Sequence, residues 1–133
     1  MWLEKAATKG FTGAQVNLGN IYGDPQSPLK DGEKALNWYT KAAEKNNVLA
    51  QFDLGILYAN GELVKQDYNE AVKWYQKAAD QGHVEAMVNL DYCYQHGHGV
   101  QSDKGKALEY YRKAAAQGSA VARENMKSLT RNW

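Results

Sequence analysis

The chain has 133 residues, of which 44% are hydrophobic, and its 16 basic and 15 acidic residues leave a formal net charge of +1. This length suits one domain and this apolar fraction can build a core, which argues against a disordered chain. The near-neutral charge provides no basic field for nucleic acid, and no apolar run approaches the roughly 18 residues that a membrane-spanning helix needs.

The first predicted elements are two helices separated by a short turn. Residues 1–10 form the end of one helix, which stops at Gly10 because the residue after a helix commonly needs a positive φ. The next helix carries apolar residues at i, i+4, i+7 and i+8, which line one face at 3.6 residues per turn. These residues are Ala14, Leu18, Ile21 and Tyr22. We call this second element helix A.

A loop with two prolines leads from helix A to a helix of another type, helix B, which opens near Asp31. An aspartate at this position accepts hydrogen bonds from the free N–H groups of a first turn. Helix B closes at Asn46, since asparagine is the next-best residue after glycine at a left-handed position. Asp67 and Glu70 also have the spacing of a capping box. The later B helices open near Asp67 and Asp103 and close at Gly82 and Gly118.

The whole pattern recurs every 36 residues without insertion or deletion. We call a set of positions 36 residues apart a column. Three of these columns contain Trp2, Trp38, Trp74 and Tyr110; Ala14, Ala50, Ala86 and Ala122; and Leu18, Leu54, Leu90 and Met126. Such a period means that each unit cannot bury its apolar face alone and stacks on copies of itself. The sequence therefore predicts an all-α solenoid of αα hairpins, with full repeats at 11–46, 47–82 and 83–118 and half-repeats at 1–10 and 119–133.

Three motifs carry a family resemblance. They are Ala-x-x-x-Leu-Gly-x-x-Tyr at 14–22 and 50–58, Gly-x-Gly-Val at 97–100, and Asp-x-x-x-Ala-x-x-Trp-Tyr-x-Lys-Ala-Ala-x-x-Gly at 67–82. Nearly the whole chain resembles the Sel-one-like repeat, a relative of the tetratricopeptide repeat. The resemblance implies a right-handed superhelix whose inner face is lined by helix A, and a role as an adaptor or scaffold that binds proteins or peptides.

One column inside helix A holds glycine in the first two units and aspartate in the third. Gly19 and Gly55 lie where glycine costs about 1 kcal/mol relative to alanine, so we expect a neighbouring helix to approach closely there, with small alanine pairs opposite. The third unit has Asp91 instead. A buried carboxylate without a partner is costly, so we expect this unit to splay, to expose Asp91 or to pair it with a base. A functional carboxylate is the alternative.

The predicted binding surface is the side of helix A that looks into the groove. At 100° per residue, columns 16, 17 and 20 point there, and they combine apolar side chains with a ladder of Asn and Asp. The candidate peptide-binding residues are Asn17, Asn20, Phe52, Asp53, Ile56, Val88, Asn89, Tyr92 and Asn125. The amides would bond a peptide main chain while the apolar residues form its pockets. The alternative is that Val16, Phe52 and Val88 only fill the seam between successive A helices.

Metal and enzyme chemistry receive little support. Cys93, His96 and His98, with His83 nearby, have side chains that suit zinc or copper. Cys93 falls in a core column of helix A, however, so we predict a buried thiol, two solvated imidazoles and no metal or cofactor. Phosphate-loop, nucleophile-elbow and metalloprotease motifs are missing. Penicillin-binding or hydrolase-like activity, described for relatives with a cysteine pair in each repeat, is a weak alternative because this chain has one cysteine.

The sequence predicts a scaffold for a protein or peptide, with no nucleic acid and no membrane insertion; a purely structural solenoid segment of a larger protein is the alternative. Residues 1–15 lack a signal-peptide pattern, so cytoplasmic and exported locations both stay open. The half-repeats leave Trp2 at one end and an apolar face near Met126 at the other, which predicts head-to-tail self-association, with fraying of the short end helices as the rival.

Overall fold

The computed structural model describes residues 2–118, which form seven α-helices and contain no strand. The helices are α1 (Trp2–Thr8), α2 (Thr12–Gly23), α3 (Gly32–Glu44), α4 (Val48–Asn60), α5 (Tyr68–Asp80), α6 (Val84–His96) and α7 (Lys104–Ala116). The even-numbered helices are the predicted A helices, and the odd-numbered ones are the B helices. The predicted all-α solenoid is confirmed. Across residues 2–118, no helix is both long and apolar enough to cross a membrane.

Each complete B helix begins at an aspartate N-cap, as the sequence predicts. In the second repeat the Asp67 carboxylate accepts from the Glu70 N–H at 3.1 Å. The Asp67 N–H itself donates to the Tyr58 carbonyl at 3.0 Å. In a capping box this N–H would instead donate to the side chain of Glu70. The equivalent bonds join Asp31 to Tyr22 and Asp103 to Tyr94. The end of each A helix is thereby tied to the start of the following B helix, which explains why the loop length is constant.

The predicted stop signals of the B helices are confirmed by the backbone. The residues after these helices have positive φ, and they are Gly10, Asn46, Gly82 and Gly118. Asn46 is the one non-glycine residue with positive φ among residues 2–118. The chain thus turns through a left-handed residue after every B helix.

The core consists of the same columns in every repeat. Each A helix packs against the B helix that follows it and against the B helix that precedes it, and α2 also contacts α4. The central residues, which are fully buried, are Leu18, Leu54 and Leu90 from the A helices and Ala42, Ala78 and Ala114 from the B helices. Small alanines on helix B allow the leucines to fill the space between two B helices.

The glycines inside helix A lie beneath tyrosine rings. A Cβ atom on Gly55 would lie 2.6 Å from Cε1 of Tyr75, and one on Gly19 would lie 2.4 Å from Cδ1 of Tyr39. Both distances are too short for real carbon contacts, so the predicted close approach is confirmed. The partner is the ring of a B-helix tyrosine, however, and the prediction of alanine pairs opposite these glycines is wrong.

Asp91 is buried in the third repeat, with 0% of its surface exposed. Its Oδ2 accepts from Gln95 Nε2 at 3.4 Å, and the Tyr111 hydroxyl also hydrogen-bonds the carboxyl group. Among residues 2–118, Asp91 Oδ1 has no hydrogen-bond partner and no basic side chain forms an ion pair with the carboxylate. The predictions that Asp91 reaches solvent or pairs with a base are therefore wrong. Burial raises the pKa of Asp91 to about 7.

Candidate binding face

Successive A helices place the candidate residues on one side of the molecule, which we call the A face and define by columns 17 and 20 of the repeat. These positions hold Asn17, Asn20, Asp53, Ile56, Asn89 and Tyr92. Asn17, Asn20 and Tyr92 are exposed, while the side chains between them are partly buried. Of the other candidates, Phe52 and Val88 are also partly buried, and Asn125 lies outside the described residues.

Two corresponding cavities on the A face lie one repeat apart. The first, of about 370 Å³, lies between α2 and α4; we call it the acidic pocket, and its defining residues are Asn20, Asp24, Tyr39, Asp53, Leu57 and Glu62. The second, of about 290 Å³, lies between α4 and α6; we call it the aromatic pocket, and its defining residues are Tyr68, Tyr75, Asn89, Tyr92, Cys93 and His98. The two pockets are built from corresponding columns, since Tyr39 and Asp53 become Tyr75 and Asn89.

The polar groups of the acidic pocket are incompletely paired. Tyr39 donates its hydroxyl hydrogen to Asn20 Oδ1 at 2.7 Å. Burial raises the pKa of Tyr39, with further contributions from the carboxylates of Asp53 and Asp24. Burial also raises the pKa of Asp53 to about 6, and the negative charge of Glu85 adds to this shift. Within residues 2–118 no ion pair includes Asp53, so its carboxylate faces the pocket without a cation.

The lining of the aromatic pocket contains no carboxylate, lysine or arginine, and its equivalent polar residues are Asn89 and Tyr75. The Asn89 side chain hydrogen-bonds the Tyr75 hydroxyl. The rings of Tyr68 and His98 are stacked with centroids 4.4 Å apart, and His98 lies 5.6 Å from the Tyr92 ring. The prediction of solvated imidazoles fits the exposed His96 but is wrong for His98, which is partly buried against Tyr68.

Phe52 lies at the seam between the second and third repeats. Its ring centroid is 4.7 Å from that of His83 and 5.9 Å from that of Tyr75. Val16, in the same column, is buried in the core. These contacts support a packing role for this column, as the alternative interpretation proposes, and leave Tyr92 as the most exposed aromatic residue of the A face, with 52% of its surface accessible.

Cys93 forms part of the floor of the aromatic pocket. It is buried, which confirms its predicted core position, and burial raises the pKa of its thiol to about 11. The thiol therefore stays protonated at neutral pH and is a poor nucleophile and metal ligand. Across residues 2–118 no group of three or more His, Cys, Asp or Glu side chains is arranged to hold a metal ion.

Sequence reasoning missed the side chains that helix B and the loops add to this face. The floor of each pocket is the B-helix tyrosine, Tyr39 or Tyr75, and the loops contribute Asp24, Glu62 and His98. The tyrosines recur at the 36-residue interval beside the tryptophan column, so that signal was visible. The loop residues differ from repeat to repeat, and no pattern in the sequence marks them.

The repeat unit matches the family model described as Sel1 repeat, at residues 1–11, 12–47, 48–83 and 84–119. The chain belongs to the Sel1 repeat family. Sel1 repeat proteins are typically non-enzymatic helical scaffolds for protein–protein interactions. No curated protein matches the sequence significantly.

Solved structures of other Sel1 repeat proteins share this architecture. A protective antigen of uropathogenic Escherichia coli strains, described as displaying an SLR fold, is 39% identical with a TM-score of 0.87 over 94% of this chain, which spans only 27% of that protein. A Sel1 repeat protein from Oxalobacter formigenes is 35% identical, with a TM-score of 0.81 and coverage of 88% of this chain and 89% of that one. The Helicobacter pylori cysteine rich protein B is 26% identical, with a TM-score of 0.71 and 92% of both chains covered.

Proposed function

We propose that this Sel1 repeat chain is an adaptor that binds an extended peptide segment of a partner protein along the A face. The observation that carries the proposal is the pair of cavities one repeat apart on the same side of the solenoid. An extended peptide that crosses successive A helices would place side chains in both cavities. Grooves that recognise peptides in this way combine pockets for side chains with polar groups for the main chain.

The exposed residues of the A face have the chemistry that such a peptide needs. Asn17 is exposed on the first A helix, and its amide can both donate to and accept from a peptide main chain. Tyr92 lies on the rim of the second cavity with half of its surface accessible. Tyrosine is enriched among residues whose truncation weakens binding most, because its rigid ring buries a large area at low entropic cost.

The proposal is tested by selecting binders from a display library of random peptides, and then measuring the affinity of the selected peptides for variants. We expect Tyr92→Ala to weaken binding by about 1 to 3 kcal/mol, as is typical for a central aromatic residue. Leu29→Ala is the matched control, because Leu29 is an exposed apolar residue that lines neither cavity. Failure to select any peptide, or selected peptides that bind Tyr92→Ala as tightly as the unmodified protein, would contradict the proposal.

Head-to-tail self-association is a second proposal, and it rests on the first two helices. Trp2 is 76% exposed and Phe11 is 63% exposed, and with Leu3, Ala6 and Ala14 they form the apolar part of a cavity of about 490 Å³. The polar residues Lys5, Lys9 and Asn17 also line this cavity. The apolar residues predicted to fill it in a second copy, near Met126, lie outside the described residues. Light scattering across the micromolar to millimolar range should show association that Trp2→Glu abolishes. A monomer throughout, or unchanged association of the variant, would contradict it.

A further inference from the structure

We propose that the acidic pocket binds a basic side chain, an arginine or a lysine of the partner segment. This inference rests on the proposed peptide-binding function, and it assigns the chemistry of one position in the ligand. It follows from the shape of the cavity, from the charge of its lining, and from a half-buried carboxylate, Asp53, that forms no ion pair within residues 2–118.

The cavity suits a long side chain with an apolar stem and a charged end. Ile56, Leu57 and Leu63 supply apolar walls, and its volume of about 370 Å³ falls within the range of sites that bind small ligands. Lysine and arginine bury their methylene stems on apolar surface while the charged group seeks polar partners. A short acidic or hydroxyl side chain would leave these walls without contact.

The charge lining the cavity has one sign. Asp24, Asp53 and Glu62 contribute carboxylates, and no lysine, arginine or histidine is among the lining residues. One oxygen of Asp24 accepts from the Gln26 N–H at 2.9 Å, and within residues 2–118 no ion pair includes this carboxylate. Glu85, from the next A helix, adds a further negative charge near Asp53. A cation is therefore the charge that this cavity favours.

Asp53 is the residue that most requires such a partner. It is half-buried, and in the part of the chain that the structure describes, no ion pair reaches its carboxylate. A carboxylate removed from water without compensation is destabilising, and an arginine or lysine would supply the missing charge-assisted hydrogen bonds. Arginine can in addition bind both oxygens through its planar fork.

The neighbouring pocket shows that the repeat architecture does not require this charge. There the equivalent position is Asn89, which hydrogen-bonds the Tyr75 hydroxyl, and the lining contains no carboxylate. The same fold can thus place an uncharged amide at this column, as it does one repeat later. The carboxylate of Asp53 is therefore a feature of the contact between the first and second repeats, and the next contact along the chain lacks it.

The test uses a minimal probe, N-acetyl-arginine methylamide, titrated into the isotopically labelled protein and followed by NMR. The uncharged isostere N-acetyl-citrulline methylamide is the ligand control, and N-acetyl-lysine methylamide compares an ammonium with a guanidinium group. We expect shifts at the amides of Asn20, Asp53 and Leu57. We expect binding about tenfold weaker in Asp53→Asn, the loss of one charge-assisted interaction.

Asp80→Asn provides the matched protein control. It removes the same charge from an exposed position that lines neither A-face pocket, so binding should be unchanged. The variant Asp53→Asn should fold, because an asparagine at a half-buried position does not carry the desolvation cost of a carboxylate. A weaker complex with intact stability therefore reports on the pocket itself.

The outcomes separate this inference from the proposed function. Equal binding of the arginine and citrulline probes, unchanged affinity in Asp53→Asn, or shifts confined to other regions would each overturn the basic-side-chain pocket. Display-selected peptides that lose affinity in Tyr92→Ala but carry no preferred arginine or lysine would overturn it while the adaptor function stands. If the arginine probe binds in an Asp53-dependent way and no peptide is selected, the pocket stands and the peptide-binding function fails.

Discussion

At the junction of the first two repeats, Tyr39 covers Gly19 and the next A helix presents Asp53; one repeat later, Tyr75 covers Gly55 and the next A helix presents Asn89. We call the glycine and the tyrosine ring that covers it the buried half of each junction between repeats, and this half is the same in both. The surface half differs, because Asn89 can donate to the tyrosine hydroxyl and an ionised Asp53 cannot. A repeat can thus keep its packing while a single column decides which ligand chemistry its pocket favours.

The third repeat shows what happens when the change occurs in the buried half instead. Asp91 occupies the column of Gly19 and Gly55, where a carboxylate cannot reach solvent. Gln95 and the Tyr111 hydroxyl adapt to it, and α6 still packs along α7. A change in the buried half therefore acts on stability, whereas a change on the A face is predicted to act on binding.

Filling the glycine column should produce the largest effect. In Gly55→Leu, a side chain must enter space already held by the Tyr75 ring, which lies 2.6 Å from a Cβ atom at this position. We expect the free energy of unfolding to fall by about 3 kcal/mol, the upper part of the range for overpacked cores. Urea denaturation followed by circular dichroism measures the change.

The control is Gly13→Ala, also within an A helix, where a Cβ atom would meet nothing within 4 Å. It should stabilise the protein by up to about 1 kcal/mol through helix propensity alone. If Gly55→Leu unfolds at the same urea concentration as the unmodified protein, the tyrosine ring does not constrain this column and the buried halves of the two junctions are not equivalent.

The repeat, its helices and its core columns were predictable from the sequence because the same residue types recur in several repeats. A leucine or alanine that recurs at Leu18, Leu54 and Leu90 identifies a core position without any structure. The partner of the glycine column was not predictable, because helical periodicity specifies which face of a helix is buried but not which side chain covers a given spot. The pockets were only partly predictable, since Glu62 and His98 lie in loops whose residues occur once.

The buried carboxylate of Asp91 should produce the next largest effect, and one that depends on pH. Burial raises its pKa from 3.8 to about 7, so the folded protein holds the proton more tightly than the unfolded chain does. Stability from this group is present below pH 4 and is lost as pH rises toward 7. In Asp91→Asn this loss disappears, and we expect the variant to be about 2 kcal/mol more stable than the unmodified protein at pH 8.

Parallel urea titrations of both proteins at pH 4 and pH 8 measure this difference. A stability advantage of Asp91→Asn that is as large at pH 4 as at pH 8 would show that shape, and not charge, sets the cost of this residue. It would also mean that the charge of Asp91 is not the reason why a change in the buried half of a junction acts on stability.

Asp53 should show the same sign with a smaller magnitude, because water reaches part of its carboxylate and screens the charge. Its pKa is raised from 3.8 to about 6, so the stability it contributes is lost as pH rises from about 4 to 6. We expect Asp53→Asn to be about 1 kcal/mol more stable than the unmodified protein at pH 7.5. Thermal denaturation at pH 4 and pH 7.5 tests this, and a variant that is less stable at pH 7.5 would mean that Asp53 has an internal partner.

The smallest effect on folding should come from Tyr92, which resembles Tyr75 in chemistry but not in position. Tyr75 is buried over Gly55, whereas Tyr92 is half exposed. The centroid of the Tyr92 ring lies 4.2 Å from that of His96. Tyr92→Ala should therefore lower the free energy of unfolding by only about 0.5 kcal/mol, since few buried contacts are lost. The same substitution is expected to weaken a bound peptide much more than this. If urea denaturation instead gives a loss as large as that of a core tyrosine, Tyr92 belongs to the buried half of its junction and the aromatic pocket is a feature of packing.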